Sequence, residues 1–177
     1  SQTEELPVFD YNSSYHPEIG KEGMVVSQRK IASQVGSDIL RQGGNAVDAA
    51  VATALALAVV LPRAGNLGGG GFMIVYLAEE KETLAIDYRE KAPAGATRDM
   101  YLDEAGNYDK DKARYSLSSS GVPGTVAGLA YALENYGTLS WSKVIDPALR
   151  LAQQGFKVSH DFSHVLDRYK KRLTEDS

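Results

Sequence analysis

Cysteine is absent from the 177 residues, which removes disulfides, thiolate metal sites and a cysteine nucleophile from the chemistry open to this chain. Basic charge is not in excess either. The 19 Lys and Arg are interspersed with 23 Asp and Glu for a net charge of −4, so no cationic field is available to hold a phosphate backbone, and nucleic acid is not an expected partner. Long apolar runs are missing too: the longest, residues 49–61, is interrupted by Thr53 and falls short of the about 20 residues that a bilayer span requires. No membrane span is expected. Ser1 is not followed by a basic and then apolar leader, and any signal peptide is expected to have been removed or left off.

What remains has the composition of a globular chain, 43% hydrophobic and 24% charged with 17 glycines, in the size range of one domain. Residues 1–22 are polar and aperiodic and read as an extended arm, with the folded unit over 23–177. The stretch that organises this unit is PRAGNLGGGGFMIVYLAEEKETLAIDYRE, residues 62–90. Gly68, Gly69, Gly70 and Gly71 run straight into an apolar segment, which requires backbone to go where a Cβ cannot, at positive φ or in close contact with another segment.

The periodicities place elements around that stretch. Residues 24–27 read as a short strand. Ile31, Val35 and Ile39 recur at four-residue spacing, so 31–41 is predicted helical, with Gly43 and Gly44 as its stop. Asn45 is a cap for the next helix, with Asp48 placed three residues on to complete a capping box. That helix, 46–60, is apolar on every face and is expected to be sandwiched between layers. Residues 72–77 and 83–88 are predicted to pair as a hairpin around a charged turn, the first strand covered on both faces. Residues 98–102 form at most one helical turn, and 109–114 are expected as an exposed loop. GVPGT, residues 121–125, opens a helix that Gly137 ends, and its small residues Gly124, Ala127, Gly128 and Ala130 suit close approach to a neighbour. Residues 141–154 are expected helical but broken at Asp146-Pro147. A last helix, 161–173, has an apolar face without an evident partner. The order gives an α+β class with the sheet covered by helices.

Candidate chemistry is sparse. The glycines lie between a helix and a strand without lysine, unlike a P-loop or a dinucleotide fingerprint, so they read as a packing turn. Arg89 is open to two readings: a guanidinium that grips a carboxylate through two parallel hydrogen bonds, or a surface ion pair with Asp87 or Glu90. His160 and His164 have metal-ligand spacing but no third ligand apart from Asp161 or Asp167, and neither a metal nor a cofactor is expected. Ser118-Ser119-Ser120-Gly121 is no nucleophile elbow, and Thr125 reads as a helix-start residue.

Three motifs in order, QGGNAVDAAVATALALAVVLPRAGNLGGGGFM, AIDYREKAPAGATRDMYLD and SSGVPGTVAGLAYALENYG, resemble the N-terminal half of the large subunit of γ-glutamyltransferases (γ-glutamyltranspeptidases) over residues 23–159. The resemblance implies an N-terminal-nucleophile hydrolase, an αββα sandwich made as a precursor that cleaves itself into two subunits. It implies transfer of the γ-glutamyl group of glutathione and related compounds to water, amino acids or dipeptides. The nucleophile would be the N-terminal threonine of the small subunit, its own amine serving as base. In this resemblance Arg89 holds the substrate α-carboxylate and Glu90 orients it or joins the neighbouring network. The partners are a γ-glutamyl substrate such as glutathione and the small subunit of the same precursor, in the periplasm or secreted. The sequence stops at Ser177, short of that threonine, so no catalytic residue is expected within it and the segment by itself is expected to be inactive. A cephalosporin or glutaryl acylase on the same scaffold, and a non-catalytic binding domain, are the alternatives.

Overall fold

The computed structural model describes residues 19–64 and 66–175. Most of the expected arm over 1–22 lies outside the described residues, and residues 19–22 are exposed. Six helices and one hairpin follow: α1 (Lys30–Arg41), α2 (Ala46–Val60), β1 (Phe72–Leu77), β2 (Glu82–Asp87), α3 (Lys110–Tyr115), α4 (Thr125–Tyr136), α5 (Trp141–Gln154) and α6 (His160–Glu175).

Helix α2 is the hub, with α1, α4 and α5 packed on it. Ile39, Val51, Leu55, Leu129, Leu133 and Val144 meet there, each nearly or fully buried, and Val75 and Ile86 of the hairpin join the same core. Among the described residues, one side of α2 is not covered as its all-apolar sequence led us to expect. Ala46, Ala49, Ala50, Thr53, Ala54 and Leu57 line an open recess of ≈ 1360 Å³ beneath residues 21–28, and Ala50 is exposed. None of the residues lining that recess belongs to the hairpin or to α4.

The ends of α2 show why it begins where it does. Asn45 Oδ1 accepts from the N–H groups of Val47 and Asp48, and Asp48 Oδ2 accepts from Asn45 N at 2.7 Å, a complete capping box. Asp48 then goes further than a cap. Its carboxylate also accepts from Thr138 N at 3.0 Å, Thr138 Oγ1 at 2.7 Å and Leu139 N at 3.1 Å, while Asn45 Nδ2 donates to the Tyr136 carbonyl at 2.7 Å. One cap thus ties the start of α2 to the end of α4 and the entry to α5. Gly137 is required at that crossing, because a Cβ there would stand 2.7 Å from Asp48 Oδ1.

The strands pair antiparallel with Phe72 opposite Asp87, Val75 opposite Leu84 and Leu77 opposite Glu82. The second strand is therefore one residue out from the expected 83–88. Alternation puts Met73, Val75, Leu84 and Ile86 toward the helices and leaves Phe72, Ile74 and Tyr76 65%, 76% and 63% exposed. The sequence suggested a strand covered on both faces; among the described residues only one is. The described residues supply one helical layer and two strands.

Three other expectations are corrected. Residues 24–27 have no strand partner among the described residues, and Val26 is 81% exposed: β-propensity without a neighbouring edge gives only extended chain. Residues 110–115 are helical, not loop, because Asp109 Oδ1 accepts from both Asp111 N and Lys112 N. Helix α5 runs through Pro147 unbroken. The proline leaves only the Lys143 carbonyl without its helical partner, at an exposed position, and an Arg150–Asp146 ion pair of 2.6 Å spans the place. The apolar face of helix α6 stays largely open among the described residues, Leu166, Tyr169 and Leu173 being exposed, and its ties are polar or cationic: Arg29 Nη1 donates to Ser159 Oγ at its start, Arg63 pairs with Asp161, and Arg172 lies 3.3 Å over the Tyr115 ring.

Candidate functional site

The site is built where β2 leaves the sheet. Tyr88 continues the buried series Leu84, Ile86, and Arg89 continues the exposed series Thr83, Ala85, Asp87. Tyr88 N donates to the Gly71 carbonyl at 3.0 Å and Gly71 N returns to the Tyr88 carbonyl at 3.4 Å. Two residues on, Lys91 and Val122 exchange both backbone bonds, 3.2 and 2.8 Å. The backbone carrying Arg89 is thus held on either side.

Glycines make that fit possible. A Cβ on Gly70 would stand 2.7 Å from the Tyr88 carbonyl oxygen and closer still to the Glu90 backbone nitrogen; one on Gly71 would meet the Tyr88 ring at 2.9 Å. From the opposite side, a Cβ on Gly124 would land on the Tyr88 carbonyl oxygen and one on Gly128 would overlap the Tyr88 ring. Gly70, Gly71, Gly124 and Gly128 together form a slot for Tyr88. The packing role expected of the glycine loop and of the small residues on α4 is therefore one role, with Tyr88 as the object packed. Burial in that slot pushes the Tyr88 hydroxyl above its ordinary pKa.

The same crowding decides how α4 is capped. Gly124 occupies the cap position and has no side chain to offer, since any Cβ would strike Tyr88. The Gly69 carbonyl takes over, accepting from Gly124 N at 2.9 Å and Thr125 N at 3.1 Å, and Thr125 Oγ1 donates to the Asn66 carbonyl at 3.2 Å. No spacing rule in the sequence points to this cap, because the acceptor lies more than fifty residues away.

Arg89 is exposed, and its guanidinium makes no ion pair among the described residues. Asp87, a suggested ion-pair partner, instead accepts from the Arg89 backbone N–H at 3.0 Å. Glu90 turns the other way, its side chain running between Gly70 and Gly121. The surface ion pair that the sequence left open is absent here, and the cation is held by its backbone with its charge uncommitted. Beside it, a recess of ≈ 380 Å³ is lined by Tyr88, Arg89, Lys91, Pro123, Gly124 and Tyr131 among others. His160 and His164 lie at exposed positions of α6, and the described residues contain no group of three His, Asp or Glu placed to hold a metal. Thr125 is the first residue of α4, as its sequence context indicated.

Comparison with known proteins matches residues 32–177 to the gamma-glutamyltranspeptidase family. The chain is 54% identical over 155 residues to the glutathione hydrolase proenzyme of Escherichia coli K12, covering 88% of this chain and 27% of that protein. Its fold superposes on the crystal structure of Helicobacter pylori gamma-glutamyltranspeptidase with a TM-score of 0.86 at 44% identity, over 90% of this chain and 46% of that one. A cephalosporin acylase from Bacillus halodurans superposes with a TM-score of 0.72 at 25% identity, over 97% of this chain and 32% of that one. The chain spans about a quarter of the length of the curated relatives it matches.

Proposed function

This chain belongs to the gamma-glutamyltranspeptidase family, and on that premise we propose that the protein it forms part of moves the γ-glutamyl group of glutathione and related donors to water, amino acids or dipeptides. In this reading a threonine on a small subunit of the same precursor forms the acyl-enzyme, and this chain supplies the donor's carboxylate grip. The enzyme would work in the periplasm or be secreted, as the family resemblance implies.

The observation that carries the reading is the state of Arg89. Its guanidinium is exposed and unpaired among the described residues, while its backbone is held by the Tyr88–Gly71 and Lys91–Val122 bonds. A planar fork carried on a held backbone suits bidentate binding of an α-carboxylate, which a lysine cannot copy. Glu90, its exposed side chain lying beside Gly70 and Gly121, supports the arginine's position from the neighbouring side in this reading.

Arg89→Lys in the full-length enzyme keeps the charge and removes the fork. The expected result is a rise in KM for a γ-glutamyl anilide of about tenfold, the loss of one charged hydrogen bond of about 1.5 kcal/mol. Unchanged KM and kcat would remove Arg89 from the substrate site. The acylase reading draws on a more distant likeness, 25% identity against 44%. It requires turnover of glutaryl donors that lack the α-amino group, so comparing a glutaryl with a γ-glutamyl anilide decides between the two.

A further inference from the structure

We propose that Thr125 is a positioning residue for donor binding, acting through Arg89; the inference rests on the reading of Arg89 as the carboxylate grip. Its hydroxyl donates to the Asn66 carbonyl at 3.2 Å, and its own N–H, with that of Gly124, converges on the Gly69 carbonyl. These three bonds stitch the loop that begins at Asn66 to the first turn of α4. Both stitched pieces press on Tyr88: Gly70 and Gly71 from the loop, Gly124 and Gly128 from the helix. Tyr88 immediately precedes Arg89, so the separation of loop and helix sets the width of the slot and with it the place where the guanidinium emerges.

The hydroxyl is the separable part of this device. Gly124 cannot carry a capping side chain because of Tyr88, and the two N–H bonds to Gly69 belong to backbone that substitution leaves in place. Only the Thr125–Asn66 bond depends on a side chain. Thr125 carries no charge and the bonds it donates go to backbone oxygens, so its effect has to appear in binding of the donor, through geometry. Loss of the bond would let the loop part from the helix by a few tenths of an ångström, enough to spoil a two-bond fit and too little to unfold the chain.

The test is steady-state kinetics of the full-length enzyme on a γ-glutamyl anilide. Thr125→Val, which deletes the hydroxyl at constant shape, is expected to raise KM about fivefold with kcat within about twofold of the parent, the value of one neutral hydrogen bond. Thr125→Ser should restore the parent KM. In an Arg89→Lys background, where the fork is already lost, Thr125→Val should raise KM less than about twofold, because the two changes act on one interaction. An unchanged KM, a fall in kcat alone, or the full fivefold rise in both backgrounds would overturn the proposal. If Thr125→Val does not accumulate folded, Thr125→Ala carries the same expectations. An Arg89→Lys enzyme with parental KM would sink the carboxylate grip and this inference with it, whereas a raised KM for Arg89→Lys with no effect of Thr125→Val in the parent enzyme would sink this inference alone.

Discussion

Asp48→Asn is expected to lower the stability of the full-length protein by about 3 kcal/mol, the cost of leaving one or two buried donors unsatisfied at about 1–3 kcal/mol each. The carboxylate is fully buried and receives four donors, Asn45 N, Thr138 N, Thr138 Oγ1 and Leu139 N, with no cation paired to it among the described residues. An amide keeps one oxygen and turns an NH₂ toward the others. Donors then face donors, and the joint between α2, α4 and α5 opens. Urea denaturation of parent and variant measures the loss; a difference under about 1 kcal/mol would mean that water or relaxed backbone serves the same donors.

The pH dependence of that difference has a definite sign. Burial by itself raises the pKa of Asp48, but the bonds from Thr138, Asn45 and Leu139 outweigh it and hold the carboxyl below its ordinary value. A depressed folded pKa contributes stability that is complete above the unfolded value of about 4 and is lost as pH falls through the folded one. The gap between parent and Asp48→Asn should therefore be flat at neutral pH and close below about pH 4. A gap that widens on acidification would contradict the assignment.

Gly124→Ala is expected to cost about 3 kcal/mol, at the upper end of overpacking penalties, and to raise KM for the donor in the same variant. The added methyl would land on the Tyr88 carbonyl oxygen, a backbone atom hydrogen-bonded to Gly71 N, so relief requires moving the whole Tyr88–Glu90 segment. Gly95→Ala is the matched control. No heavy atom lies within 4 Å of its added Cβ and its φ is not positive, so a change within about 0.5 kcal/mol is expected there. Thermal melts together with KM for the two variants check both effects. Equal behaviour of the two would show that the Tyr88 slot yields freely.

The local features were legible in the sequence. Asn45 and Asp48 announce a capping box by their spacing, the glycines before Phe72 announce close packing, and Gly124, Ala127 and Gly128 announce a smooth helix face. The objects at the far end of each contact were not. Nothing near Asp48 points to Thr138, and nothing in the glycine run points to Tyr88, because such pairings are fixed by how helices cross. Residues 24–27 show the reverse failure: the side chains favour a strand, yet a strand exists only where an edge receives it. Pro147 misleads for a similar reason, since a proline breaks a helix only where its lost bond cannot be spared. Arg89 itself was visible as a residue, and its uncommitted charge became visible only once Asp87 was seen to spend its carboxylate on a backbone N–H.

The outward row of Phe72, Ile74 and Tyr76 governs how this polypeptide behaves in the test tube. Among the described residues the two antiparallel strands keep a wet aromatic and aliphatic face and open edges, a template for joining other chains edge to edge. Produced by itself, the 177-residue polypeptide should oligomerise or precipitate as its concentration rises, and Ile74→Lys, on that row, should keep it dispersed. Light scattering across a dilution series separates the two.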